Sequence, residues 1–400
     1  MSPTLLVALM TAYVIAAVMP MGSFPALLPH FTTLWNLRGA EGGAIVAAHF
    51  VGYMLTVPLL VSLTDRMDGR RLMIAGCLLA AAGNIGFAIF ADGVWTAAAW
   101  RFIGGIGLGA LYVPGMRAMT DRLDSVRHAR AVTVYTGSFA IGTAFSFAGT
   151  VLVADSFGWR AAFIATGAGP LLSLAITLMA LAPRPPPRST GPARHPLDWR
   201  PLFRNRAALG LIALGFGHMV EFSANRSWSV AYLTTATGHS GATSILGLPP
   251  ALIAGMTSFL ILPFSLLGTD LAQRFGRDRA LAAVVGLSFL VSCATGLGVV
   301  LPVWVAVLLI CLQTGAVASD SGILNSGAVA SAKPGELGMT MSAYSTITFG
   351  ASAVGPMVMG FSFDIAGGIA GVKGWTLGFG LCALAPILGL VAMRLLGRRA

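Results

Sequence analysis

The chain has 400 residues, 56% of them hydrophobic and only 10% charged, with a mean hydropathy of +0.82. So few charges cannot cover a water-exposed surface, which excludes an ordinary soluble enzyme or binding domain. The formal net charge of +11 would suit a nucleic-acid binder if it were gathered on one face, but it recurs in alternate connections between apolar runs, so no nucleic-acid partner is expected.

A helix crossing the hydrocarbon core needs about 20 apolar residues. Runs of that kind are predicted near 4–29, 41–64, 72–91, 96–118, 131–153 and 160–182, and again near 207–235, 248–269, 279–298, 301–323, 338–362 and 375–396. The first is too long for a signal-peptide core and has no basic leader, so it is expected to be a permanent span. Arginines mark one set of loops: Arg66, Arg70 and Arg71; Arg117, Arg122, Arg127 and Arg130; Arg184 to Arg206; Arg274, Arg277 and Arg279; and Arg394, Arg398 and Arg399. The other loops hold only Arg38, Arg160 and Lys373. Basic loops stay on the cytoplasmic side, which predicts cytoplasmic termini and a lipid-embedded protein of the bacterial inner membrane, expected to be a monomer.

Between the two sets lies "PRPPPRSTGPARHPLDWRPLFRNRA", Pro183 to Ala207, without apolar periodicity. It is expected to be a cytoplasmic linker joining an N-terminal six-helix bundle (1–182) to a C-terminal one (207–400), with 183–206 between them. Trp199, Leu202 and Phe203 are candidates for a short helix on the membrane surface. Cys77, Cys293, Cys311 and Cys382 fall singly on different spans and read as packing residues, so no metal or other cofactor is expected.

The halves echo each other. "DRMDGRR", Asp65 to Arg71, follows the second run, and "AQRFGRDR", Ala272 to Arg279, follows the eighth. A glycine flanked by arginines suits a sharp two-helix connection, and repetition at matching places is the mark of a duplicated transporter fold. On these residues the chain resembles the major facilitator superfamily over essentially its whole length. The family's loop signature is matched by Asp65, Arg66, Gly69, Arg70 and Arg71, although Val61 replaces its leading glycine and Asp68 lengthens the turn; Gln273, Arg274, Phe275, Gly276 and Arg277 form the second copy. The resemblance implies a fold of twelve transmembrane helices in two pseudo-symmetric bundles, and a gating role for Asp65, Arg66, Gly69, Arg70, Arg71, Arg274, Gly276 and Arg277. A second signature, an arginine followed by glycines, is carried by Arg101 with Gly104, Gly105, Gly107 and Gly109. A buried arginine must meet an anion or backbone carbonyls; near the end of a span it can instead snorkel to the interface. The Gly-Pro motif of drug-proton antiporters is incomplete in the fifth span, which has Gly137, Gly142 and Gly149, and a version appears as Gly350, Gly355, Pro356 and Gly360 in the eleventh.

Glu41 opens the second predicted span, and the acidic residues deeper inside the predicted spans are Glu221 and Asp320. A carboxylate or guanidinium at the bilayer centre costs about 2.5–3.5 kcal/mol on insertion scales, so Glu221 and Arg226, in "HMVEFSANRSW", are expected to face the bundle interior. At about 100° per residue His218, Glu221, Asn225 and Trp228 share one stripe, from which Arg226 diverges. Arg226 therefore meets another span, or its helix is irregular. Glu221 is the candidate proton carrier, with His218 within reach one turn away and Asp320 a second candidate; the alternative is a permanently paired carboxylate that fixes packing. Arg226, Arg101, Asn225, Trp228, His49, Tyr53, Tyr13, Phe24, Tyr112 and Tyr344 are the candidate substrate-binding residues.

No Walker phosphate loop is present, and neither the histidines nor the cysteines form a catalytic or metal-binding cluster, so the chain is not expected to be an enzyme. The expectation is a proton-coupled secondary transporter that moves a small organic anion or zwitterion by alternating access, the alternative being a proton-driven efflux antiporter for drugs or sugars.

Overall fold

A computed structural model of the protein describes residues 2–64, 67–183, 199–333 and 336–397. Helices dominate, and the pairing of Ile245 with Leu248 is an isolated bridge rather than part of a strand. Ten helical stretches are long and apolar enough to cross a membrane. One of these, Arg130–Ala180, has 51 residues, roughly 75 Å of helix at 1.5 Å per residue, and so supplies two passes. With the shorter apolar helix Pro3–Ala17 at the start, the layout accords with the expected twelve spans.

The two passes of that long stretch meet at Gly158, whose backbone (φ 82°, ψ 165°) is not helical. Four other spans are broken. The first is helical over Pro3–Ala17, turns, and resumes at Ser23–Ala26 and Leu28–Leu34. Pro20 has no N–H to continue the ladder from Ala16, whose carbonyl instead takes the Met19 N–H at 3.3 Å. The eighth passes from Pro250–Met256 through a tight turn, Thr257–Leu260, into Ile261–Phe275. Here Pro263 leaves the carbonyl of Phe259 without its helical donor. Pro356 has the same effect at Ser352 in the eleventh, which consists of Leu337–Ala351 and Val354–Ala366. The tenth runs Val303–Ala318 and then Ser321–Ser331, eight residues past its predicted end at 323, so Asp320 lies at an internal break rather than near a terminus.

The described residues fall into two compact units. One comprises the described parts of Met1–Leu27 and Ala48–Leu197; the other comprises Leu28–Ala47 and the described part of Asp198–Ala400. A division at the linker alone would have grouped Leu28–Ala47 with the first half. Its attachment to the second unit has a local cause: Asp364 caps the start of the helix Gly39–Thr64, its two oxygens accepting the N–H groups of Gly39 (2.7 Å) and Ala40 (3.0 Å). Gly39 also abuts Gly360, and Gly43 abuts Pro356, backbone to backbone.

Of the expected linker, residues 184–198 lie outside the described residues. The short helical turn foreseen around Trp199 exists as Arg200–Arg204, but it does not simply lie on a surface. Leu202 is buried among Leu211, Leu281 and Leu324, while Phe203 is exposed. Asn205 then ties two elements: its Oδ1 accepts the Ala208 N–H at 3.1 Å, and its Nδ2 donates to the Ser331 carbonyl at 2.7 Å.

Candidate functional site

The seventh span is one unbroken helix, Arg206–His239, so the irregular-helix explanation for Arg226 does not hold. The side chain instead reaches the eighth span at its break. Its Nη1 donates to the carbonyl of Ala254 (3.2 Å) and to Thr257 Oγ1 (2.9 Å), and its Nη2 donates to Ser258 Oγ (2.8 Å). The guanidinium supplies donors where the eighth helix has lost its own ladder.

Glu221, 3% exposed, points elsewhere. Its Oε1 accepts two hydroxyl hydrogen bonds, from Ser288 and Ser292, each at 2.7 Å. Those serines stand four residues apart on the ninth span, Arg277–Gly298, and so share one helix face. Behind them runs a relay of donors. Asn225 Nδ2 donates to Gln313 Oε1 (3.0 Å), and Gln313 Nε2 donates to Ser292 Oγ (2.9 Å). Thr314 Oγ1 stands 3.2 Å from Asn225 Oδ1. Each step passes its donor toward Glu221, a polarity that supports a carboxylate at the end of the chain. Neither of the two serine bonds to Glu221 involves Oε2. Sequence reasoning missed Ser288, Ser292, Gln313 and Thr314; the available signal was the four-residue spacing of the two serines and the adjacent polar pair in the otherwise apolar tenth helix.

One turn before Glu221, His218 does not pair with it. Its Nδ1 lies 2.7 Å from Asp320 Oδ1, and its Nε2 lies 3.3 Å from Ser321 Oγ. All three residues flank the break in the tenth span, and His218 and Asp320 are both buried. Three titratable side chains from two helices thus occupy one buried polar interior: one carboxyl group held by hydroxyls, and one acid–imidazole pair.

Trp228 separates from this group, whereas Tyr344 stands near enough to Asp320 to feel its charge. Trp228 shares the predicted stripe but packs with Phe363 (4.8 Å between ring centroids) and donates its indole N–H to the Pro356 carbonyl at 3.1 Å. Tyr344 is buried against Gly215.

In the first unit, Arg101 is buried rather than snorkelled, 3% exposed. It donates through Nη1 to the Pro20 carbonyl (2.9 Å) and through Nη2 to the Met21 carbonyl (3.1 Å), bracing the turn in the first span. Ser146 also bonds this turn, donating to the Met19 carbonyl and accepting the Gly22 N–H at 3.0 Å. His49 contacts the Arg101 carbonyl through Nδ1 at 3.2 Å, and Gly105 lets the His49 backbone approach where a Cβ would collide. Tyr13 and Phe24 are wholly buried, the Tyr13 hydroxyl donating to the Leu111 carbonyl at 3.2 Å; in this conformation they pack rather than line a cavity. Tyr53 is buried, and Tyr112, half-buried, lies 5.5 Å from Tyr135 and 5.2 Å from Phe139 by ring centroid.

Among the gating candidates, Asp65 and Arg66 lie outside the described residues. Gly69 does not take the sharp bend; it opens the helix Gly69–Phe90, which Asp68 caps by accepting the Arg70 N–H at 3.0 Å. Arg70 is half-buried and Arg71 exposed. In the second copy Gly276 does make the bend, with φ 85°, between exposed Arg274 and Arg277, and Arg277 Nε lies 3.5 Å from Asp278.

A bundle of long apolar helices, several broken beside buried charges, defines a polytopic membrane protein of the transporter kind. The family model described as Major Facilitator Superfamily matches residues 7–356, and the chain belongs to that family of transporters. It is 33% identical over 134 residues to the gentisate transporter of Corynebacterium glutamicum, a match covering 32% of this chain and 30% of that protein. It is 28% identical over 133 residues to the niacin transporter NiaP of Acinetobacter baylyi, covering 33% of this chain and 30% of that one. These matches thus span about a third of each relative's length. Two solved structures share the fold along nearly the whole chain: a bacterial homologue of the lysosomal transporter Spinster in an inward-facing, occupied conformation (TM-score 0.78, 15% identity, 100% of this chain and 98% of that one), and a D-xylose-proton symporter (TM-score 0.74, 14% identity, 98% and 97%).

Proposed function

We propose that the protein is a proton-coupled secondary transporter of a small organic anion or zwitterion, working by alternating access in the bacterial inner membrane with both termini cytoplasmic. The observation that carries this reading is Glu221: a buried carboxyl group that accepts hydrogen bonds from two neutral hydroxyls, on the same helix as His218, which pairs with Asp320 of the tenth span. Among the described residues Glu221 makes no ion pair, and both hydroxyl bonds fall on Oε1, which supports a group that can take up and release a proton. A carboxyl group fixed in a permanent salt bridge would lack that freedom. The arginine distribution supports the orientation.

The substrate class rests on two supports. Gentisate and niacin, named for the two relatives, are both small aromatic carboxylic acids. The second unit also buries a cation, Arg226, beside hydroxyl groups at a helix break, where a carboxylate can exchange with a hydroxyl as partner. Uptake of radiolabelled gentisate and nicotinate into liposomes holding the purified protein tests the reading. Accumulation driven by an imposed inward proton gradient is expected for at least one aromatic carboxylate. Uptake that ignores the gradient would overturn the coupling, and a response confined to neutral solutes would overturn the substrate class.

A further inference from the structure

On the outer surface of the second unit, the ninth helix (Arg277–Gly298) and the twelfth (Val372–Gly397) bound an open groove of about 660 Å³. The helices touch at Gly296, where a Cβ would lie 2.5 Å from the Cα of Thr376. Beside that contact the wall falls away, because Gly380 has no side chain and nothing lies within 4 Å of where its Cβ would be. Leu297, Leu377, Leu384 and Phe289 make the lining apolar, and one cation, Lys373, stands at one end. Lys373 is exposed, and among the described residues it forms no ion pair.

We infer that this groove holds a membrane phospholipid with an anionic headgroup, its phosphate at Lys373 and an acyl chain along Leu377, Gly380 and Leu384. The dimensions fit. From Lys373 to Leu384 is eleven residues of helix, roughly 16 Å, and one leaflet of a hydrocarbon core about 30 Å thick is roughly 15 Å deep. The ninth helix runs the opposite way and keeps the same register, with Leu297 at the Lys373 end and Phe289 deeper. The groove therefore begins at the headgroup level and ends near mid-bilayer, the length of one acyl chain.

Charge selects the occupant. Lipid tails are as apolar as leucine, so the walls alone cannot favour one lipid over another. Lys373 can, and it is one of only three cations that the sequence places in the loops opposite the arginine-rich ones. It lies in the first turn of its helix, where the unpaired N–H groups and the helix dipole add to the attraction for phosphate. A cation near a membrane surface favours an anionic lipid by an amount equivalent to about fivefold in affinity.

The test is native mass spectrometry of the full-length protein released from equimolar phosphatidylglycerol and phosphatidylcholine. The wild type is expected to retain phosphatidylglycerol in preference, Lys373→Ala to lose about fivefold of that preference, and Gly380→Trp, which fills the groove, to reduce retention of both lipids. Both substituted positions border open space, and unchanged melting temperatures in lipid-free detergent would verify that the variants fold. Equal retention of the two lipids by the wild type, or a preference untouched by both substitutions, would overturn the assignment.

Discussion

The two units treat buried charge differently. In the first, among the described residues, Arg101 is buried with His49 beside it, and Arg101 is spent on main chain: two carbonyls at the turn of the first span. In the second, Arg226 does comparable work at the break in the eighth span, but Glu221, Asp320 and His218 are buried as well. Among the described residues every buried acid belongs to the second unit. The difference teaches that an intramembrane arginine can prop broken backbone, whereas Glu221 meets side-chain hydroxyls of a neighbouring helix and no broken backbone. On the proposed function, proton chemistry belongs to the second unit and the first serves the architecture.

The sharpest way to break this contrast is to remove each prop. Arg101→Ala and Arg226→Ala should each destabilise the protein by about 2–3 kcal/mol, the scale of hydrogen bonds to a charged group, read as a loss of melting temperature in detergent. Arg101→Ala should leave the proton dependence of transport intact. If it uncouples transport instead, the division between units fails. Next is the His218–Asp320 pair. His218→Gln, Asp320→Asn and the double variant should show a coupling energy of about 1–3 kcal/mol in thermal stability, and strict additivity would mean that the pair does not act as a unit.

A smaller effect is expected for Gln313→Met. It removes the donor behind Ser292 and should cost about 1 kcal/mol, comparable to interhelical hydrogen bonds measured in membranes, together with slower proton-driven uptake. Smallest is Asp364→Asn. The carboxylate facing the N-terminus of the second helix should contribute about 0.5 kcal/mol, a change in melting temperature that vanishes at high salt.

Much of the architecture was legible because it follows from hydropathy and loop charge. The breaks were less so. Pro20, Pro263 and Pro356 explain three of them once the missing N–H is traced four residues back, yet proline also occurs inside unbroken helices here, at Pro58 and Pro114. The tenth-span break at Asp320 has no proline, and its sequence signal was correspondingly weak. Helical geometry correctly separated Arg226 from Glu221, but a periodicity names only a direction, not the neighbour in that direction. Hence His218 was matched to Glu221 by spacing, while the fold supplies Asp320 from another helix. The same limit applies to Trp228, which lies on the stripe yet packs into an aromatic group with Phe363 and Trp375.

The central assignment is tested most directly at Glu221, by recording substrate-induced proton flux in liposomes for the wild type and for Glu221→Gln. The account predicts that the wild type moves protons with its substrate, and that the variant moves none while still exchanging labelled for unlabelled substrate. Undiminished proton flux in Glu221→Gln would contradict it.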